Sequence, residues 1–269
     1  MSADFDFVMT EHAAWLRVGG VCQRVFALPD GSRWLATAKG DTLALVALDQ
    51  DAAESARDIF MLPNGVLTEV PELATALRTL GPVLRFRNPD LWDAIGTAII
   101  RQVIRAGQSK KLYRAFCEAH GEQAELPDSG TYALFPTPEI VLGLDNDQFS
   151  SIGMAFKRRP LKAAAEAYLE HGAKWQELTP LALIQELQTV PRIGPWTAHA
   201  AVADWSNDWS LYPYADLAVR TWAMRAAPSH DWPTDEPTFG RVWRALAGDH
   251  LSSLTLLTLA WGSQHGDIG

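Results

Sequence analysis

The hydrophobic repeat of this chain changes once, near residue 70, from a period of two to a period of about 3.6, and this change limits the fold more than any other feature. Before it, residues 24–28, 34–38 and 43–48 are short apolar or alternating runs. They are separated by Pro29-Asp30-Gly31 and Lys39-Gly40-Asp41, both of which carry the chemistry of tight turns. The pattern predicts a small antiparallel sheet, and the run 51–61, stopped by Pro63-Asn64-Gly65, predicts a covering helix. Nothing in this part offers catalytic chemistry.

Beyond the change, Leu91, Ile95, Ala98, Ile99 and Val103 fall on one helical face, and Asn88-Pro89 gives a start signal, so a helix is predicted over 91–106. Thr137-Pro138 and Thr179-Pro180 each set a capping threonine before a proline in a first helical turn. Further helices are predicted over 156–170 (stopped by Gly172), 181–188, 195–203, 217–227, 239–247 and 251–261. The expected fold class is α+β, mainly α: an N-terminal antiparallel unit over 1–75 and a helical domain over 76–269.

With 48% hydrophobic and 20% charged residues, the chain has the composition of a soluble globular protein. Met1-Ser2-Ala3-Asp4 lacks the order of a signal peptide and the best apolar run, 254–261, is too short for a bilayer, so a cytoplasmic location with no membrane is expected. Two distant cysteines, Cys22 and Cys117, exclude a disulfide framework and a four-cysteine metal site. The net charge of −9 counts against a polyanionic partner, but the local distribution does not. Between 85 and 114, Arg85, Arg87, Arg101, Arg105, Lys110, Lys111 and Arg114 outnumber Asp90 and Asp93, and the cluster Lys157-Arg158-Arg159 with Lys162 contains no acid. Ordinary solvated faces would look the same.

The stretch Leu187-Gln188-Thr189-Val190-Pro191-Arg192-Ile193-Gly194-Pro195-Trp196-Thr197-Ala198 ends one helix in a tight apolar hairpin and starts another at once. Gly194 permits close approach of a ligand, Pro195 suits a first turn, and the free amides of Trp196 and Thr197 lie at the positive end of the helix dipole, where phosphate binds without a basic side chain. A plain corner between two helices would use the same Gly and Pro. Further on, Pro213-Tyr214-Ala215-Asp216 opens another helix, where an N-cap is the ordinary role for Asp216.

Together these segments resemble the helix–hairpin–helix DNA glycosylases. Their usual hairpin is Leu-Pro-Gly-(Val/Ile)-Gly before a helix containing Thr-Ala; Val190-Pro191, Ile193-Gly194 and Thr197-Ala198 match, while Arg192 replaces the first glycine. A spacer and Pro-x-x-Asp then follow as in that superfamily. Phe135-Pro136-Thr137-Pro138-Glu139, Ile152-Gly153-Met154-Ala155-Phe156-Lys157-Arg158 and the hairpin flanks are similar to DNA-3-methyladenine glycosylase II over roughly residues 20–265.

The resemblance implies a TBP-like N-terminal domain and a monomer that acts on double-stranded DNA carrying a damaged, alkylated base. Asp216 would be the catalytic carboxylate, because loss of the base leaves positive charge on the sugar that a fixed carboxylate stabilises while it orients water. Trp196 and Trp261 would wall the base pocket, and Gln102-Val103 would supply a wedge for the gap left by the extruded base. Val190, Arg192, Ile193, Gly194 and Thr197 would grip DNA, joined by Gln102, Val103, Arg105, Lys157 and Arg158. Members that also cut the backbone carry a lysine where this chain has Trp196, so a monofunctional enzyme is implied. No iron–sulfur cluster, metal or other cofactor is implied, with room left for a monovalent cation at the hairpin backbone. Arg101-Gln102-Val103-Ile104-Arg105 departs from the family's Gly-Gln-aliphatic-Val-Ser, and Ala200 stands where a pocket tyrosine is expected. Two other readings stay open: a catalytically weak damage-binding protein of the same fold, and a helical scaffold with no DNA role.

Overall fold

Alternation places strands where it was expected to. The computed structural model describes residues 5–27, 32–48, 57–126 and 130–265. After β1 (Phe7–Val8), strands β2 (Leu16–Val18), β3 (Val21–Ala27), β4 (Arg33–Lys39) and β5 (Thr42–Ala47) form a four-stranded antiparallel sheet in chain order. A second sheet, β1-β7-β6, joins β6 (Arg57–Phe60) antiparallel and β1 parallel to β7 (Val83–Phe86). Val8, Trp15, Phe26, Ala36, Ala38, Leu84 and Phe86 form the small core that both sheets share. The helix expected over 51–61 is not found where it is described: Arg57–Phe60 alternates between exposed and buried positions and pairs with β7. Residues 51–56 of that expectation lie outside the described residues. The second sheet also takes β7 from beyond α1 (Pro71–Arg78).

The helical part comprises α2 (Leu91–Arg101), α3 (Ala106–His120), the hairpin β8 (Gln123–Leu126) with β9 (Gly130–Ala133), then α4 (Pro138–Gly143), α5 (Asn146–Ser151), α6 (Arg158–Gln176), α7 (Pro180–Leu187), α8 (Pro195–Ser206), α9 (Leu217–Ala226), α10 (Glu236–Ala247) and α11 (Leu251–His265). Both threonine caps form as expected, Thr137 accepting from the Ile140 N–H and Thr179 from the Ala182 N–H. None of the described helices is long and apolar enough to cross a membrane.

Helix α2 is the centre of this layer. Every residue from Leu91 to Ile100 is buried, and α2 packs on α3, α6 and α8. The single helix expected over 91–106 divides, because Gln102 leaves helical geometry at ψ 127° and Val103 turns left-handed at φ 61° before α3 restarts. Gly172 does not stop α6 either. It lies inside the helix against the Tyr168 ring, where a Cβ would come within 3.0 Å of a ring carbon.

A buried polar network fastens the sheets to the hairpin helix α8. Arg85 of β7 pairs with Asp204 and Asn207 at the α8 C-terminus, and Asn88 donates to Asp204 Oδ2 at 2.9 Å and to Asp93 Oδ2 at 3.0 Å. His12 sits at its centre. Nδ1 accepts from the Ala14 N–H at 3.1 Å, so the proton of the neutral ring is on Nε2, facing Thr97 Oγ1 at 3.2 Å and Asp93 and Asp204 at 3.6 and 3.7 Å. Burial, reinforced by Arg24, lowers the His12 pKa to about 4. Burial works against the Asp204 charge, but Arg85, His12 and Arg24 outweigh it and hold the carboxyl well below the usual range.

Candidate active site and nucleic-acid interface

The site is built on the last turn of α2, where consecutive side chains reach in two directions. Arg101 Nη2 donates to the Tyr212 hydroxyl at 3.1 Å, and that hydroxyl donates to Asp216 Oδ2 at 3.0 Å. Gln102 Nε2 donates to the Arg192 carbonyl at 3.2 Å and to Thr197 Oγ1 at 2.8 Å, which ties the α2 end to the hairpin. Val103 follows at once and is fully exposed, at 103%. A β-branched residue in the left-handed region, with its apolar surface in water, bears two costs that no contact among the described residues offsets.

Lys157, expected among the phosphate contacts, has a different role. Its side chain is buried, and Nζ donates to the carbonyls of Ile99 and Gln102 at 2.8 and 2.7 Å, closing the open end of α2 with a cation. Burial lowers its pKa to about 8. The adjacent Phe156 is 57% exposed, with its ring centroid 5.1 Å from Lys157 Nζ, an apolar projection beside the α2 end that the basic cluster conceals in the sequence.

In the hairpin, Val190, Ile193 and Thr197 are buried, whereas Arg192 and Gly194 are exposed. Arg192 adopts φ 72°, the backbone that the replaced glycine would take without strain, and Gly194 is the N-cap of α8. A monovalent cation on the hairpin backbone would share carbonyls with donors already present: Val190 O accepts from the Ile193 N–H at 3.1 Å and Arg192 O from Gln102. Among the described residues no group of His, Cys, Asp and Glu is arranged to hold a metal ion. Arg105 is exposed at the start of α3, and Arg158 is half-buried at the start of α6.

Asp216 occupies the N-cap position of α9, yet its side chain makes no capping hydrogen bond. The carboxylate turns instead to Tyr212, whose hydroxyl burial and Asp216 push up to about 12 although Arg101 opposes them. Tyr212 therefore remains a donor across the physiological range. Burial opposes the Arg101 charge, but Tyr212, Asp204 and Asp216 outweigh it and raise its pKa further.

Beside this array lies a cavity of about 270 Å³. The N-terminal segment contributes Met9, Glu11 and His12; α2 gives Ile100 and Arg101, α3 gives Lys110, α9 gives Ala218 and Trp222, and α11 gives Leu259, Gly262 and Ser263. Trp196 and Trp261, expected as pocket walls, are not among the residues lining it. Trp196 is half-buried with the Arg101 guanidinium 5.5 Å from its ring centroid, and Trp261 stacks on His265 at 4.3 Å. Trp222 went unnoticed in the sequence, and Lys110 stood out there only as one of the basic residues between 85 and 114. The one available signal was the helical spacing of Ala218 and Trp222 on the element that Asp216 opens.

No family model and no curated protein matches this chain in sequence. Solved structures match it in fold. A 3-methyladenine DNA glycosylase from Archaeoglobus fulgidus, 16% identical, superposes with a TM-score of 0.71 over 94% of this chain and 90% of its own. An 8-oxoguanine glycosylase/lyase from Clostridium acetobutylicum, crystallised with duplex DNA and 14% identical, gives 0.70 over 95% and 89%. A 3-methyladenine DNA glycosylase from Schizosaccharomyces pombe, in complex with abasic DNA and 18% identical, gives 0.53 over 68% and 84%.

Proposed function

The chain has the fold of the helix–hairpin–helix DNA glycosylases, and from that premise we propose that it is a monofunctional DNA glycosylase that flips a damaged base out of duplex DNA and hydrolyses its bond to deoxyribose. One juxtaposition carries this reading: Arg101 and Gln102, adjacent in sequence, hold the Asp216 carboxylate array and the hairpin respectively, and Val103 projects from the same turn. In use, the α8 amides and Arg192 grip the phosphate backbone, Val103 enters the space of the extruded base, and the base passes towards the cavity. Asp216, oriented by Tyr212, faces the sugar as positive charge develops there and directs water to it. Trp196 offers no amine at the start of α8, which supports hydrolysis without a covalent imine. The resemblance points to alkylated bases, whereas the chemistry of the cavity supports another class, argued below.

Single-turnover base release tests the proposal. Asp216→Asn keeps shape and removes the charge, so release should fall by roughly a hundredfold or more while duplex binding stays within a few fold. Unaltered release would remove Asp216 from the mechanism and leave it a helix-opening residue. The weaker alternative, a damage binder without efficient cleavage, predicts no release from the wild type.

A further inference from the structure

The glycosylase reading says that a base enters the cavity; the lining of the cavity says which kind, and this step rests on that reading. Trp222 is an aromatic wall of the cavity, and its ring is fixed by its neighbours. Gly262 lies directly beneath its ring, where a Cβ would come within 2.4 Å of three ring atoms, and the Arg225 guanidinium sits 5.0 Å from the ring centroid. Trp222 follows Asp216 along α9 by about 9 Å of helix rise, and Ala218, two residues after Asp216, lines the same cavity, so the helix that Asp216 opens runs along the cavity wall.

The ionic groups of the cavity wall are nearly all engaged. Arg85 pairs with Glu11 at 2.8 Å and with Asp204, Arg101 bonds to Tyr212, Tyr113 donates to Asp93, and His12 belongs to the buried network. Lys110 is different: among the described residues its ammonium makes no hydrogen bond and no ion pair, although it is half-buried and lines the cavity. Burial, with Arg114 and Arg101 as like charges, depresses its pKa despite Glu11. A place that disfavours the protein's own cation disfavours a cationic ring as well, and an ammonium free of protein partners at the cavity wall can exchange water for a ligand acceptor.

We propose that the cavity selects a neutral damaged base bearing a ring carbonyl, stacked on Trp222 with that carbonyl accepting from the Lys110 ammonium, and that it discriminates against cationic alkylated purines. The base edge would take the place of water at the Lys110 ammonium. A positively charged ring would instead meet Lys110 and Arg101 without a counter-charge of its own.

The experiment measures single-turnover release from duplexes with one hypoxanthine, 8-oxoguanine or 7-methylguanine, each divided by the spontaneous loss of that base. The wild type should favour a neutral base over 7-methylguanine. Lys110→Met should lose about tenfold on the neutral base and little on 7-methylguanine, Lys110→Arg should recover most of the loss, and Trp222→Ala should lose tenfold or more on every base. Unchanged thermal melting and binding to a tetrahydrofuran abasic-site duplex, which puts no base in the cavity, identify folded variants. Preference for 7-methylguanine, or an equal loss on all bases in Lys110→Met, overturns the proposal. So does a borohydride-trapped adduct that Lys110→Met abolishes, since Lys110 would then be a nucleophile. If release is Asp216-dependent but blind to Lys110, only this inference fails. If the wild type releases no base, the glycosylase reading fails with it.

Discussion

Two side chains at this surface hold a backbone conformation that suits neither of them. Val103, at φ 61°, and Arg192, at φ 72°, both stand where the left-handed region costs an L-residue on the order of 1–2 kcal/mol. For Arg192 the offset is a charge placed at an exposed turn beside the α8 amides. Arg192→Gly should therefore raise the melting temperature and weaken duplex binding at low salt, flattening the logarithmic salt dependence by about one unit. Tighter binding at every salt concentration would show that Arg192 touches no phosphate and that the hairpin has lost part of its grip.

At the scale of elements, the end of α2 depends on a cation from another helix. Lys157 titrates near 8 in the folded chain, against 10.5 as its ordinary value, because burial disfavours its charge. Between these values the unfolded chain binds the extra proton, so the contribution of Lys157 to stability increases as pH rises from about 8 towards 10. Burial raises the Cys117 thiol, which acts in the opposite direction above about 9, so the comparison with a variant is the informative one. The melting temperature of the wild type minus that of Lys157→Met should grow between pH 7 and about 9.5 by a few degrees. Lys157→Met should also slow base release more than it weakens duplex binding, since Gln102 and Val103 lose the carbonyl anchor that sets them. A difference independent of pH would remove Lys157 as a buried cation.

Across the whole molecule, the buried network around His12 joins the sheets to α8 and lines one side of the cavity. Its pKa of about 4, against an ordinary 6.5, means that the unfolded chain takes up a proton between these values and the folded chain does not. Stability is therefore lost as pH falls from 6.5 towards 4, by on the order of 3 kcal/mol for this group. His12→Gln, which keeps a donor and an acceptor, should show a shallower decline in melting temperature over that interval. An identical acid decline in both proteins would mean that His12 is not the group that titrates.

Local pattern by itself determined three strands of the four-stranded sheet, β3, β4 and β5, the threonine caps of α4 and α7, the hairpin before α8 and the position of Asp216, because each follows from periodicity or turn chemistry within a few residues. The resemblance carried the function to those positions. Where local pattern was incomplete, long-range contacts decided. Arg57–Phe60 became a strand because β7 offered it a partner, and α2 stopped at Arg101 because Lys157, more than fifty residues away in sequence, closes its carbonyls. The same basic cluster that reads as a phosphate contact thus buries its first lysine. Trp196, Trp222 and Trp261 are equal as letters. Only the packing of α9 against α11, with Gly262 under a ring, sets Trp222 against the cavity and leaves the other two elsewhere. Covalent neighbours specify backbone conformation over a turn or two, but which side chain faces an enclosed space depends on elements that meet only after the chain has folded.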